Sequence, residues 1–206
     1  MSQIDAVIFD MDGVLCHLDD DVRIGFLAKL TGHSPDFIRQ AIWGSGFEDR
    51  ADEGEYSAEE YLEGFGKCLQ STISRDDWVA YRKSGMTPML PMVELATELS
   101  KSMPACVLTN NGFLLVDEIG RLFPELSLFG DRIWSSAHFG CRKPSVEIYR
   151  QTCLRLGSDP ARTLMIDDRA ENIDGAMSAG LKGHLFEDIE NLKTFLRASE
   201  VRPSIQ

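Results

Sequence analysis

The chain has little that would tie it to a membrane, a nucleic acid or an oxidising compartment. No apolar stretch in its 206 residues approaches the ~20 needed to cross a bilayer. The opening MSQID runs straight into an apolar run without the basic and apolar regions of a signal peptide, so the expected location is cytoplasmic. Positive charge is scarce: 21 lysines and arginines stand against 33 aspartates and glutamates, for a net charge of -12. Such a surface repels polyanions, which argues against nucleic acid and anionic membranes as partners. A small phosphorylated molecule remains compatible if a metal and a few basic groups neutralise it locally. The five cysteines (Cys16, Cys68, Cys106, Cys141, Cys153) are odd in number, scattered and without a CxxC pair. They read as reduced thiols rather than a disulfide framework or a zinc site. The four histidines, His17, His33, His138 and His184, are dispersed and read as structural or surface residues. There is no internal repeat and no low-complexity segment.

What is present is a set of short apolar runs that stop on polar residues. Ala6-Val7-Ile8-Phe9 stops at Asp10-Met11-Asp12-Gly13, as a buried parallel strand ending at a site does. Carboxylates at i and i+2 leave an extended backbone toward one side, and Gly13 allows a sharp turn and close approach to a ligand. Such a pair can hold a hard cation, attack or protonate. A calcium-binding loop fits less well, because its glycine belongs two positions later.

After Leu15 the pattern turns helical. The acidic run Asp19-Asp20-Asp21 suits the start of a helix over Val22 to Leu30, which Gly32 ends. Ser34-Pro35 starts a second helix through Trp43, Ser57 to Glu60 a third through Leu69 with the form of a capping box, and Ser74 a fourth reaching Lys83. Residues 44–54 between the second and third, with Phe47 and Arg50, read as a polar loop of the kind that carries binding residues. From Pro91 helix and strand alternate: helices at Pro91 to Lys101, Leu114 to Leu122, Ser145 to Leu156 and Ala170 to Ala179, strands at Ala105 to Leu108, Arg132 to Ser135, Thr163 to Ile166 and Gly183 to Phe186. This predicts an α/β fold with a doubly wound, Rossmann-like parallel sheet over residues 1–15 and 87–197. An α-helical block is inserted over residues 16–86, and a frayed polar tail occupies residues 198–206.

Ligands of open α/β sheets bind beyond the carboxyl ends of the strands. That edge collects Asp10 and Asp12, Thr109 and Asn110, and Asp167 and Asp168; Lys143, placed by Pro144 at a helix start, reaches it as well. Carboxylates so gathered repel one another unless a cation joins them, and oxygen-only ligands favour magnesium.

Taken in order, Asp10-Met11-Asp12-Gly13-Val14, Thr109-Asn110-Asn111, Lys143-Pro144 and Asp167-Asp168 followed by Asn172 resemble the four motifs of the haloacid dehalogenase superfamily. The likeness spans nearly the whole chain. The helical block resembles the cap of the subclass whose cap lies between the first two motifs, and CRKPSVEIYR and MIDDRAENIDGA are similar to its sugar-phosphate phosphatases and epoxide hydrolase phosphatase domains. The resemblance implies a magnesium-dependent phosphatase acting on a small phosphorylated metabolite such as a sugar phosphate. Asp10 is then the nucleophile and Asp12 the general acid and base. Thr109 and the Asn110 backbone hold phosphate oxygens, and Lys143 stabilises developing charge. Asp168 binds the metal beside the Asp10 carboxylate and Asp12 carbonyl, Asp167 acts through a metal-bound water, and Asn172 supports Lys143 or the metal shell. Met11, Asn110 and Asn111, with Phe47 and Arg50 from the loop, are the expected substrate contacts, and Trp43 is a further cap candidate; His17 and His138 lie near enough in sequence to touch substrate. Rival expectations are a phosphomutase, a dehalogenase, which Asp12 disfavours, and a non-catalytic regulatory protein. Monomer and dimer are both left open.

Overall fold

The computed structural model describes residues 4–199; residues 200–206, most of the expected tail, lie outside the described residues. Elements are numbered along the chain. The first apolar run is β1 (Ala6–Phe9), with no residue more than 1% exposed. It sits at the centre of a five-stranded sheet, flanked by β4 (Ala105–Thr109) and β5 (Ile133–Ser135) on one side. β6 (Thr163–Asp167) and β7 (Lys182–Leu185) lie on the other. Every pair is parallel. Because side chains alternate across a sheet, Val7, Phe9, Val107, Leu164 and Ile166 enter one apolar cluster, and Ile8, Cys106, Leu108 and Met165 another. Helices α9 (Val146–Leu156) and α10 (Ala170–Ser178) cover the second face through Ile148, Tyr149 and Ile173. Helices α6 (Leu90–Ser102) and α11 (Ile189–Ala198) contribute Leu95, Leu99, Leu192 and Leu196 to the first cluster. Burial on both faces explains why the strands read as unbroken apolar runs. The expected doubly wound α/β architecture is therefore the observed one, and strand order reverses at β1, which puts the end of that strand where ligands of such sheets bind.

A run of helices over residues 20–84 lies between the strands of a small antiparallel ribbon, β2 (Cys16–Leu18) and β3 (Met86–Pro88). The sequence reading has these residues entering and leaving helix. The ribbon instead holds the chain's exit from the sheet beside its return, as Met89 N–H donates to Leu15 C=O at 2.8 Å. The cap signals act locally as expected. Asp19 accepts from Val22 N–H at 3.0 Å to start α1 (Asp20–Thr31), and Gly32 ends it at φ 76°. Ser34 caps α2 (Pro35–Arg39), and capping boxes open α4 (Ala58–Cys68) and α5 (Arg75–Ser84) through Ser57 with Glu60 and Ser74 with Asp77.

Three stretches differ from expectation. The second helix does not run through Trp43 as an α-helix; Gln40–Gly44 forms a π turn, after which Gly46 at φ 72° redirects the chain. The supposed loop then contains α3 (Phe47–Asp52), whose Phe47 and Ala51, four positions apart, are buried on one face. Glycine punctuation hid that short apolar face. The helix expected to Leu122 is split into α7 (Phe113–Asp117) and α8 (Ile119–Leu122). At the break, buried Glu118 accepts from Arg75 at 2.8 Å and Arg121 at 2.9 Å. The closing helix α11, with Leu192 and Leu196 buried, has no counterpart in the sequence reading.

One contact between elements positions the sheet edge. α10 packs on the segment before α9 so closely that a Cβ at Gly175 would lie 2.2 Å from the Pro144 carbonyl oxygen. Gly175→Ala is expected to cost about 1–3 kcal/mol, as overpacking against unyielding backbone does. A urea unfolding curve checks it, and an unchanged midpoint would mean that Pro144, and Lys143 with it, is not fixed by this packing.

Candidate active site

The turn after β1 is made by main-chain bonds that converge on Met11. Its carbonyl accepts from Leu15 N–H at 2.8 Å and Cys16 N–H at 3.0 Å, while its N–H donates to Asp10 Oδ1 at 2.7 Å. Met11 thus positions Asp10 through its backbone, and its side chain is wholly buried. Gly13 has φ 89°, and a Cβ there would come within 2.2 Å of Asp168 Oδ2. Glycine therefore serves twice here, permitting the left-handed turn and leaving the space that the Asp168 carboxylate fills.

Lys143 is the hub of the edge. Its ammonium lies 2.8 Å from Asp10 Oδ1 and 2.6 Å from Asp167 Oδ2, with all three residues buried. Asp167 Oδ1 in turn accepts from Arg169 N–H at 3.0 Å and Asn172 Nδ2 at 2.9 Å. The Asn110 side chain holds the Lys143 backbone at both ends, accepting from its N–H and donating to its C=O, each at 2.9 Å. Burial alone would discharge the ammonium, but the adjacent Asp10 and Asp167 outweigh it and hold the Lys143 pKa above its ordinary value. Burial dominates at Asp10, raising its carboxyl to about 8 with Asp167 adding to the rise, against the pull of Lys143.

Asp12 has different company. Its Oδ2 accepts from Arg82 Nη2 at 2.6 Å and stands 3.5 Å from Asn111 Nδ2, and its Oδ1 meets Cys16 Sγ at 3.4 Å. Burial opposes ionisation, yet the Arg82 guanidinium prevails and lowers the Asp12 pKa. Asn111 also donates to Thr109 Oγ1 at 2.7 Å, so Thr109, Asn111, Asp12 and Arg82 form one chain of polar contacts. Arg82 is the residue that sequence reasoning missed. It lies 70 positions from Asp12 in the last turn of α5, where a basic residue is already explained by the helix dipole.

A cavity of about 400 Å³ opens over this edge, lined by Asp10, Asp12, Thr109, Lys143 and Asp168, with His17 and Asn172 at its wall. A larger shallow groove of about 620 Å³ lies along α4 and holds none of these groups. Phe47 and Arg50 do not line the edge cavity. The Phe47 ring is stacked against Tyr56 and Tyr61, with centroids 5.3 and 5.2 Å away, and Arg50 Nε donates to the Tyr56 hydroxyl at 2.8 Å. Both are taken up in packing within the helical block, as is Trp43, under the Arg23 guanidinium at 5.0 Å. His138 is occupied at the end of β5, 2.9 Å from Ser135 Oγ.

Asp10, Asp167 and Asp168 each offer an oxygen within 4.8 Å of the others. Both Asp167 oxygens already accept hydrogen bonds, so Asp10 and Asp168 are the carboxylates best placed to hold a cation. Around them stand four carboxylates, counting Asp12, of which Asp10, Asp12 and Asp167 are ion-paired among the described residues with two buried cations, Lys143 and Arg82. An all-oxygen donor set short of positive charge fits a hard divalent ion such as magnesium.

Residues 4–180 match the family described as haloacid dehalogenase-like hydrolase. Among curated relatives, a phosphatase of Mycobacterium tuberculosis is 28% identical over 89% of this chain and 88% of its own length. A sesquiterpene phosphatase of Aspergillus oryzae is 26% identical over 89% and 91%. A family enzyme of Bacteroides thetaiotaomicron, solved with magnesium and inorganic phosphate, superposes with a TM-score of 0.78 at 21% identity, covering 92% of this chain and 98% of that one.

On the helical block, Asp52 ends α3 facing Arg142. Burial raises its carboxyl from the ordinary 3.8 to about 8, with Glu48 adding to the rise and Arg142 opposing it. The folded state therefore holds a proton that the unfolded chain releases, so this contribution to stability is full below about pH 4 and is lost as pH rises toward 8. Asp52→Asn keeps the shape without the ionisation. It is expected to melt several degrees above the parent at pH 8, with the gap closing toward pH 4; equal melting temperatures at both pH values would contradict the assignment.

Proposed function

The chain belongs to the haloacid dehalogenase-like hydrolases, and from that premise we propose that it is a phosphatase cleaving a small phosphomonoester, of the sugar-phosphate kind, through an aspartyl-phosphate on Asp10. The observation that carries this reading is the unlike treatment of two carboxylates on one turn. Asp10 is gripped by Lys143 against the sheet, and Asp12 is turned toward Arg82 and the helical block. Two acidic groups in different surroundings are suited to different roles.

In the first step an Asp10 oxygen forms a bond to phosphorus as the bond to the leaving oxygen breaks, and Asp12, ionised beside Arg82 at rest, takes up the proton that a monoanionic phosphate ester brings into the site and hands it to the departing alkoxide. In the second step Asp12 takes a proton from water, the water oxygen bonds to phosphorus, and the acyl-phosphate bond breaks to return Asp10 and release inorganic phosphate. Splitting the transfer replaces one difficult displacement by two easier ones. Lys143 stays within reach of the equatorial oxygens and offsets their charge. The Thr109 hydroxyl, which accepts from Asn111, keeps its own proton free for a phosphate oxygen. Magnesium, held by Asp10, Asp168 and the Asp12 carbonyl, would supply the positive charge that ionises Asp10 and offsets the phosphate. Asp167 then works through Lys143, and Asn172 through Asp167. The Mycobacterium and Aspergillus relatives, both named phosphatases, support this reading, as does a D-ribitol-5-phosphate phosphatase of Bacteroides thetaiotaomicron, 24% identical over 82% of this chain and 85% of its own length. Helices α1 to α5 act as a lid on the site, which must exclude water in the first step and admit it in the second.

Phosphate release from a panel of sugar, polyol, prenyl and nucleotide phosphates tests the proposal. Asp10→Asn is expected to lower turnover by roughly four to six orders of magnitude, the range seen when one member of a catalytic unit is removed, with an unchanged circular dichroism spectrum. A metal chelator in excess is expected to stop release and magnesium to restore it. Turnover that survives either treatment would remove Asp10, or the metal, from the mechanism.

A further inference from the structure

Beside Arg82 lies a small, partly enclosed chamber. Glu48, Tyr61, Trp78, Arg82 and Asn111 line it, and its volume is about 20 Å³, room for one oxygen-sized group. Two of its donors are unsatisfied: Arg82 Nε and Trp78 Nε1 are buried without a hydrogen-bond partner, in residues only 5% and 4% exposed. Trp78 packs edge-on to the Tyr61 ring at 6.2 Å, its indole N–H near the Tyr61 hydroxyl but outside hydrogen-bond geometry, and that hydroxyl is committed as donor to Glu48 Oε1 at 2.7 Å. Buried donors are rarely left unpaired, and each such group calls for an explanation. The chamber also has a definite address. Arg82 Nη2 lies on Asp12 Oδ2 at 2.6 Å and on Asn111 Oδ1 at 3.3 Å, so the guanidinium that meets Asp12 with one nitrogen presents another to the chamber.

We propose that this chamber receives a hydroxyl of the leaving group, so that Arg82, Trp78 and Glu48 select hydroxylated phosphomonoesters over apolar ones. The inference rests on the phosphatase reading, because only there does the leaving oxygen sit at Asp12, with its carbon chain continuing past Arg82 and Asn111. A hydroxyl matches the lining in both senses: its oxygen accepts from Arg82 Nε–H and Trp78 Nε1–H, and its proton goes to Glu48. An aliphatic chain would leave both donors unpaired, and a site built to bond a hydroxyl rejects the analogue that lacks it. The competing occupant is a single structural water.

The test measures kcat/KM for phosphate release from glycerol, pentitol and hexose phosphates, each paired with the n-alkyl phosphate of matching length. It uses the parent protein, Trp78→Phe, which keeps the packing and removes the N–H, and Glu48→Gln. The parent is expected to favour the hydroxylated member of at least one pair by about 100-fold or more, and each variant to lower that ratio by about tenfold, the loss of one buried hydrogen bond. A merely structural role would slow both members of a pair alike and leave the ratio unmoved. Phosphate release with a parental ratio near one, or a ratio retained in both variants, would assign the chamber to a water and overturn the proposal while leaving the phosphatase reading intact. Release from no compound would overturn both.

Discussion

The sheet edge depends on one buried cation. Lys143 places its ammonium between Asp10 and Asp167, 2.8 and 2.6 Å away, with almost no exposure to water. A lysine so buried is costly unless its charge is matched, and two buried carboxylates without it would be costlier still. Each member is therefore intelligible only with the others. Other contacts serve this placement: Asn110 clamps the Lys143 backbone, Asn172 and the Arg169 N–H fix Asp167, and Gly175 lets α10 close on Pro144. Three strand ends and one helix start thus become a single electrostatic unit.

A second link gives that unit its chemistry. The helical block reaches the sheet edge through Arg82, whose contact with Asp12 ties the block to the carboxylate to which the proposal assigns the proton transfers. Asp10 and Asp12 sit two residues apart, yet one is raised by burial and the other lowered by a guanidinium from a different part of the chain. The difference between the two carboxylates thus comes from tertiary contacts rather than from the local sequence. It also means that the helical block is in touch with Asp12 through the Arg82 side chain.

Much of this was legible in the sequence, for a physical reason. Strands buried on both faces appear as short apolar runs, and the residues at which they stop are the ones the sheet brings together, so Asp10, Asp12, Thr109, Asp167 and Asp168 were readable from punctuation alone. Capping residues such as Ser57 and Ser74 likewise act within a single turn and show themselves locally. Arg82 was not legible, since a basic residue in a helix's last turn has a sufficient local explanation. The short helix α3 was obscured by flanking glycines, and with it the packing role of Phe47, whose stacking partners Tyr56 and Tyr61 lie beyond its own segment. Asn110 was placed correctly at the edge, but its side chain's grip on the Lys143 backbone depends on a loop 33 residues away.

The central claim is that Asp10, held in place by Lys143, takes the phosphoryl group itself. The most direct measurement is an acid quench of the enzyme during a single turnover of a radiolabelled phosphomonoester, followed by mapping of any protein-bound label. The account predicts label on the peptide carrying Asp10, rising and then decaying at a rate consistent with turnover. Release of phosphate with no labelled protein at any time, or label on another residue, would contradict it.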